Sequence, residues 1–258
     1  MSGQNSAASA SVNRAKPYQL MLFPLNNGAT NVYYVLVLSY IATFGSKVLA
    51  LSMIFASVMV TGMRLFDAIT DPIIGALMDR TNGKFGKFRP FMVIGNLIMA
   101  VSILVLYGLT PLIPASMEWA RYVAFVALYA IWVIGYTFQT SCTRSGQTVL
   151  TNDPKQRPIF AMCDTVYNII LMNIVIPVIV TDSLVPKFTL TAEANAAEIT
   201  SLVAQNPALA GIVEKSGGNL SAFYNPGLFT TMQLMFGGLS AVFAVCAIIA
   251  LWRKDRPK

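Results

Sequence analysis

Histidine is missing from all 258 residues. Its absence removes the commonest general base and the commonest metal ligand. Charge is also scarce: Asp, Glu, Lys and Arg make up 11% of the chain, against about 25% in a soluble domain. Cysteine is limited to Cys142, Cys163 and Cys246, scattered in or beside apolar stretches without metal spacing. They read as packing residues, not as a disulfide set or ligand cluster. Residues 1–20 are rich in Ser, Ala and Asn and contain no apolar core. A cleaved leader is therefore not expected, and the segment reads as a disordered tail. With no nucleophile–base pair and no metal constellation, an enzyme is not expected.

What remains is apolar. Hydrophobic residues account for 55% of the chain and the mean hydropathy is +0.62, a balance that belongs to a membrane protein. A helical span needs about 20 mostly apolar residues. That requirement predicts six spans: Asn27–Thr43, Leu49–Met78, Pro90–Leu109, Trp119–Thr143, Ile159–Val180 and Leu228–Trp252. The first is short and interrupted by polar residues. The expected fold is therefore all-α, with six transmembrane helices over residues 21–258.

The net charge of +7 is a topology signal and not a footprint for nucleic acid. One side of the predicted spans holds Arg14, Lys16, Arg80, Lys84, Lys87, Arg89, Arg144, Lys155, Arg157, Arg253, Lys254, Arg256 and Lys258. The other holds only Lys47, Arg121, Lys187 and Lys215. The positive-inside rule then places both termini in the cytoplasm. Residues 181–227 form an extracytoplasmic loop whose Ala-rich part, broken by Pro207, reads as one or two short surface helices.

Arg64, Asp67 and Asp71 lie inside the second span. Each charge at bilayer depth costs roughly 2.5–3.5 kcal/mol on insertion scales. Asp67 and Asp71 are one helical turn apart, and Arg64 lies one turn earlier on the same side. Such a group, turned to a bundle interior, is suited to hold a small cation or a proton. The alternative is a structural Arg64–Asp67 ion pair beside a protonated Asp71.

At the end of this span the chain reads Gly75-Ala-Leu-Met-Asp79-Arg80, followed by Gly83-Lys84 and Gly86-Lys87-Phe88-Arg89-Pro90. This resembles the loop motif of the major facilitator superfamily. Upstream, Arg64-Leu-Phe66-Asp67-Ala-Ile-Thr70-Asp71-Pro72 resembles the second-helix signature of its glycoside–pentoside–hexuronide:cation symporters. The resemblance implies a cytoplasmic latch at Gly75, Asp79, Arg80, Lys84, Lys87 and Arg89. It implies a cation site at Asp67 and Asp71, with Thr70 where the family usually has asparagine and Thr137 as a fourth-helix ligand. The coupling ion is sodium or a proton, and no other cofactor is implied.

Carried to the sugar site, the resemblance points to Asn31, Thr140, Arg144 and Asp164. These depart from the family's acid, aromatic and arginine. Arg144 in place of an aromatic favours an anionic ligand such as a uronate, or else is a positive-inside residue at a helix end. Asp164 touches substrate or pairs with Arg144 or Arg157. Tyr33, Tyr34, Tyr136, Phe138 and Tyr167 line a cavity or serve helix packing.

Major facilitators have two six-helix halves with substrate between them, and this chain supplies one. A lone half would turn its charged face to lipid. A second half-transporter is expected as partner, as a heterodimer or, alternatively, a symmetric homodimer. The functional expectation is a cation-coupled symporter half for a sugar, glycoside or sugar acid in the cell inner membrane. The competing one is a non-transporting sensor or scaffold.

Overall fold

The structure is a computed structural model that describes residues 13–81, 85–188, 196–205, 209–216, 225–252 and 254–255. The secondary-structure elements among those residues are helices, and five of them are long and apolar enough to cross a membrane. The N-terminal stretch forms α1 (Pro17–Leu22), α2 (Leu25–Leu38) and α3 (Ile41–Lys47). The long helices α4 (Met53–Arg80), α5 (Arg89–Gly108) and α6 (Glu118–Leu150) follow. Next comes α7 (Arg157–Ile170), continued to Leu184 by wider turns. A short α8 (Val185–Phe188) precedes two small helices, α9 (Ala196–Gln205) and α10 (Leu209–Ser216), and α11 (Gly227–Leu251) closes the bundle.

The expected first span is the one that differs. It is split between α2 and α3 at Ser39 and Tyr40, so neither piece reaches spanning length alone. The sequence around the break, Leu38-Ser-Tyr-Ile41, offers too short an apolar stretch on either side to carry one straight helix. By contrast α4 runs unbroken through Pro72. In α7 the widened turns flank Pro177, whose ring nitrogen has no hydrogen to give to the ladder. The outer loop contains two short helices on either side of Pro207, which itself lies outside the described residues.

α6 packs between α5 and α4, α11 between α2 and α5, and α7 lies on α2. Close approach of α5 and α6 depends on two glycines. A Cβ on Gly95 would sit 2.8 Å from Phe138 Cβ, and one on Gly135 would sit 2.9 Å from the Gly95 carbonyl oxygen. Small residues are what let helix backbones meet in a bilayer, where lipid supplies no hydrophobic drive between helices. Gly75 of the loop motif, by contrast, has nothing within 4 Å of where its Cβ would stand. It lies on an open face. Only 17% of the most apolar stretch of α4 and of α7 is buried, against 44% for α5 and α6.

Residues 13–20 are not a loose tail. Arg14 Nε pairs with Asp153 Oδ2 at 2.9 Å, the Ala15 amide donates to Gln156 Oε1 at 2.8 Å, and Gln19 Nε2 donates to the Ala250 carbonyl at 2.8 Å. This strap crosses the α6–α7 turn and the end of α11, so both ends of the described chain meet at one end of the bundle. Residues 1–12 lie outside the described set.

The same end holds an acid that composition conceals. Asp255, 4% exposed, accepts from the Lys87 amide through Oδ1 at 2.7 Å and from the Phe88 and Arg89 amides through Oδ2 at 2.9 and 3.0 Å. The amides at the start of α5 have no intrahelical acceptor, and Lys87-Phe88 provides no capping side chain. Asp255 therefore caps α5 from across the fold, with its charge at the positive end of the helix dipole. Arg89 closes the contact from 3.6 Å and lies over the Trp252 ring. Gly86, at φ +91, lets the loop pass: a Cβ there would sit 2.5 Å from the Asp255 carbonyl oxygen.

Two outcomes are expected. Asp255→Ala orphans three amides and should cost about 2–3 kcal/mol, read as a lowered unfolding midpoint in detergent. At the strap, the Lys155 amide, helped by Arg14, holds the Asp153 carboxyl below its usual range. Its contribution is then complete above the unfolded value near pH 4 and is lost as pH falls through the lower folded value. Hydrogen exchange at residues 13–16 should stay slow from pH 7 to about 4 and quicken below it. Asp153→Asn should make it fast at neutral pH.

Candidate cation site

Asp67 is half-buried on α4, facing α6. Thr137, fully buried on α6, donates its hydroxyl to Asp67 Oδ1 at 2.8 Å. The Val133 carbonyl, at 3.0 Å, is the alternative acceptor for that single proton. Thr70 Oγ1 lies 3.1 Å from Thr137 Oγ1 and 3.0 Å from the Asp67 carbonyl. The i, i+3 spacing of Asp67 and Thr70 puts both on the α6 side of α4. Three residues named from sequence thus form one oxygen cluster of carboxylate, hydroxyls and carbonyls. Such oxygens suit a hard cation or a proton.

Beside the cluster is a cavity of about 10 Å³ lined by Arg64, Asp67, Tyr129, Trp132 and Tyr136 among others. That is room for the centre of about one water molecule or small ion. The aromatic wall is tight: Trp132 stacks on Tyr136 with ring centres 5.4 Å apart, and Tyr34 lies 6.0 Å from Tyr136. Among the described residues the Trp132 indole N–H has no acceptor.

Arg64 does not form the alternative ion pair with Asp67. Its Nη2 donates to the Tyr34 hydroxyl at 2.6 Å, and its guanidinium lies 4.9 Å from the Tyr34 ring centre. Among the described residues no acid lies within ion-pair distance of it. The phenol on α2 offers both an acceptor and a π face, which a carboxylate on the same helix as Arg64 does not. Asp67 thereby keeps an oxygen without a protein donor among the described residues.

Asp71, one turn further along α4, faces Arg144 of α6, with Nη1 3.9 Å from Oδ2. Arg144 is not at a helix end, since α6 continues to Leu150. Side-chain exposures of 77% and 38% make the pair weak by itself, about 0–1 kcal/mol. Thr140, one turn before Arg144, turns its hydroxyl to the Thr137 carbonyl at 3.1 Å.

The remaining substrate candidates form a second polar line between α2 and α7. Asn27 Nδ2 donates to both oxygens of Asp164, at 2.8 and 3.0 Å, and Asn31 Nδ2 donates to Asn168 Oδ1. Asp164 therefore pairs with neither Arg144 nor Arg157. Sequence reasoning missed Asn27 and Asn168, although Asn27/Asn31 and Asp164/Asn168 each stand at i, i+4 in an apolar span. That repeat was the available signal. Of the aromatics, Tyr34 and Tyr136 reach the site. Tyr33 is buried near Gln233, Phe138 stacks on Phe91 and Tyr167 bonds the Met21 carbonyl.

Of the latch residues, Lys87 Nζ pairs with Asp79 Oδ1 at 2.7 Å and Arg89 joins Asp255. Arg80 is exposed at the end of α4, and Lys84 lies outside the described residues.

Comparison with known proteins places these features in a wider group. A profile described as "MFS/sugar transport protein" matches residues 23–205. The "Uncharacterized symporter YnaJ" of Bacillus subtilis (strain 168) is 32% identical over 127 residues, 48% of this chain and 27% of that protein. The "Inner membrane symporter YicJ" of Escherichia coli (strain K12) is 30% identical over 138 residues, 52% and 28%. The "Putative glycoside/cation symporter YagG" of the same organism is 30% identical over 137 residues, 52% and 28%. The matched part of the chain thus spans little more than a quarter of each relative's length.

Thr137→Val keeps the shape of the side chain and removes the hydroxyl. Cation affinity should fall about 10–100-fold, as for other groups that orient a ligand, with little change in the unfolding midpoint. Titration with sodium, and separately with acid, on the purified variant checks both.

Proposed function

This chain belongs to the MFS/sugar transport protein family, and on that premise we propose that it carries the cation site of an inner-membrane symporter. The transported substrate is a sugar, glycoside or sugar acid, moved together with sodium or a proton. The observation that carries the reading is the Asp67–Thr137–Thr70 cluster. It joins an intramembrane carboxylate to hydroxyl oxygens on the facing helix, beside a cavity the size of one small ion.

The oxygen set fits either coupling ion. Sodium would be held by carboxylate and hydroxyl oxygens; a proton would reside on the carboxylate itself. The cell inner membrane is the expected location, with the basic end of the bundle in the cytoplasm. That end gathers Arg14, Lys87, Arg89 and Lys254, as the positive-inside rule requires.

The faces of α4 and α7 call for company. Arg64 and Arg144 are exposed, Gly62 and Gly75 meet no neighbour, and charges turned to acyl chains carry a penalty. A second six-helix set packed against α4 and α7 removes it and encloses the substrate between two halves that rock about it. We assign that set to a separate partner half in a heterodimer. A second copy of this chain, or further residues of a longer polypeptide, are the outcomes a mass measurement of the assembled transporter distinguishes.

The experiment is substrate accumulation by the assembled transporter in proteoliposomes under imposed sodium and proton gradients. Asp67→Asn and Asp71→Asn should each reduce cation-driven accumulation by more than about 100-fold, beyond the loss typical of an outer-shell partner. Accumulation at the wild-type level in both variants, with its ion dependence unchanged, contradicts the proposal.

A further inference from the structure

At the basic end of the bundle, the residue that ends α11 separates two grooves. One, of about 400 Å³, lies between α1 and α11 and is lined by Lys16, Tyr18, Ile249 and Trp252. The other, of about 340 Å³, lies between α5 and α11, where Phe85, Val93, Ile94 and Ile248 line it together with Trp252. Both are of the size of ligand pockets, about 300–1,000 Å³. Trp252 is the wall they share. It is 61% exposed and Phe85 is 77% exposed, which is costly for rings that meet water. Arg89 lies 5.0 Å from the Trp252 ring centre and holds that wall in place.

Charge is distributed unevenly between the two grooves. In the second, the Arg89 guanidinium is matched by Asp255, so its lining is apolar with no free cation. Beside the first, Lys16 is exposed, and among the described residues no acid is within ion-pair distance of it. Lys254 donates to neutral oxygens, the Asn13 side-chain carbonyl and the Arg14 carbonyl, and so keeps its charge uncompensated two residues from Lys16. Asp153 and Asp255, the acids of this end, are already taken by Arg14, Arg89 and backbone amides. The arrangement is thus one cationic rim above two apolar grooves. A phospholipid has the complementary form, with one anionic head and two acyl chains.

We infer that a single anionic phospholipid straddles Trp252. Its phosphate meets Lys16 and Lys254 and accepts from the Tyr18 hydroxyl, which has no other partner among the described residues. One chain lies on Ile249, and the other crosses to Val93, Ile94 and Ile248. Tyr and Trp favour the headgroup level, and basic pockets at the cytoplasmic side suit anionic headgroups. The grooves belong to α1, α5 and α11, whereas the second six-helix set is assigned to α4 and α7, so bilayer and not protein faces them. The bound lipid would bridge the N-terminal strap, α11 and the start of α5. This inference uses the membrane orientation proposed above but not the cation site, and it stands or falls apart from what is transported.

The test measures quenching of tryptophan fluorescence by brominated lipids in the assembled transporter, held in phosphatidylcholine nanodiscs. Trp119→Phe removes the other exposed indole, and the signal lost in Trp252→Phe identifies Trp252. Attraction of a lysine near an anionic surface amounts to roughly a fivefold preference. Brominated phosphatidylglycerol should therefore be favoured at Trp252 over brominated phosphatidylcholine by about 25-fold. Lys16→Gln should reduce the preference to about fivefold, and Lys16→Gln with Lys254→Gln should abolish it. Ile248→Phe, which fills the second groove, should weaken binding of the two-chain lipid and spare its one-chain lyso form. Hydrogen exchange at residues 13–16 should slow when phosphatidylglycerol is present. Equal quenching by the two lipids, or a preference that survives loss of both lysines, overturns the inference. So does displacement by inorganic phosphate beyond a chloride control, which would mark a free-anion site. Absence of quenching at Trp252 by either lipid also overturns it, since protein would then cover the grooves.

Discussion

The hydrogen bond from Thr137 to Asp67 is the contact on which the site turns. It crosses from α6 to α4 and commits one carboxylate oxygen to a hydroxyl, while the other has no donor among the described residues. It also orients the acid toward the aromatic-walled cavity. Its geometry depends in turn on where α6 sits. That helix is held against α5 by the glycine crossing at Gly95 and Gly135, and α5 is anchored by Asp255 at its first turn. Cap, crossing and acid form one line of support. The tightly packed helices α5, α6 and α11 act as a frame, and the sparsely buried α4 and α7 present chemistry on its open side.

Electrostatics divide the molecule into two ends with opposite logic. At the basic end, carboxylates are tied down: Asp255 by three amides and Arg89, Asp153 by Arg14 and the Lys155 amide, Asp79 by Lys87. These contacts bind the N-terminal strap, the α4–α5 loop and the end of α11 into one unit. Along the α4–α6 face the reverse holds. Arg64 is drawn off by Tyr34, and the Arg144–Asp71 approach is long, so neither acid is locked. A scaffold would gain nothing from acids left unlocked at bilayer depth. A site that must load and unload an ion needs them so.

Much of this is legible in the chain itself. Charges inside an apolar run are conspicuous, and helical spacing alone puts Asp67, Thr70 and Asp71 on neighbouring positions. Thr137 is implied by the family resemblance, and the fold brings it to Asp67. What stayed hidden depends on contacts between residues far apart in sequence. Asp255 sits among basic residues and looks like part of a topology signal; the trace it leaves is the missing cap before Arg89-Pro90. The i, i+3 spacing suggests an Arg64–Asp67 pair as an alternative, while the partner Arg64 takes lies 30 residues earlier. Residues 13–20 have the composition of a tail and are ordered by side-chain contacts to the α6–α7 turn and α11. The break between α2 and α3 was foreshadowed only by polar interruptions.

Infrared difference spectroscopy of the assembled transporter, recorded on adding sodium and on lowering pH, observes the Asp67 carboxyl itself. A carboxylate or protonated-acid band should change with one of the two ions and be absent from the spectrum of the Asp67→Asn variant. A spectrum that does not respond to either ion, or whose bands are the same in that variant, would contradict the assignment of Asp67 as the group that holds the coupling cation.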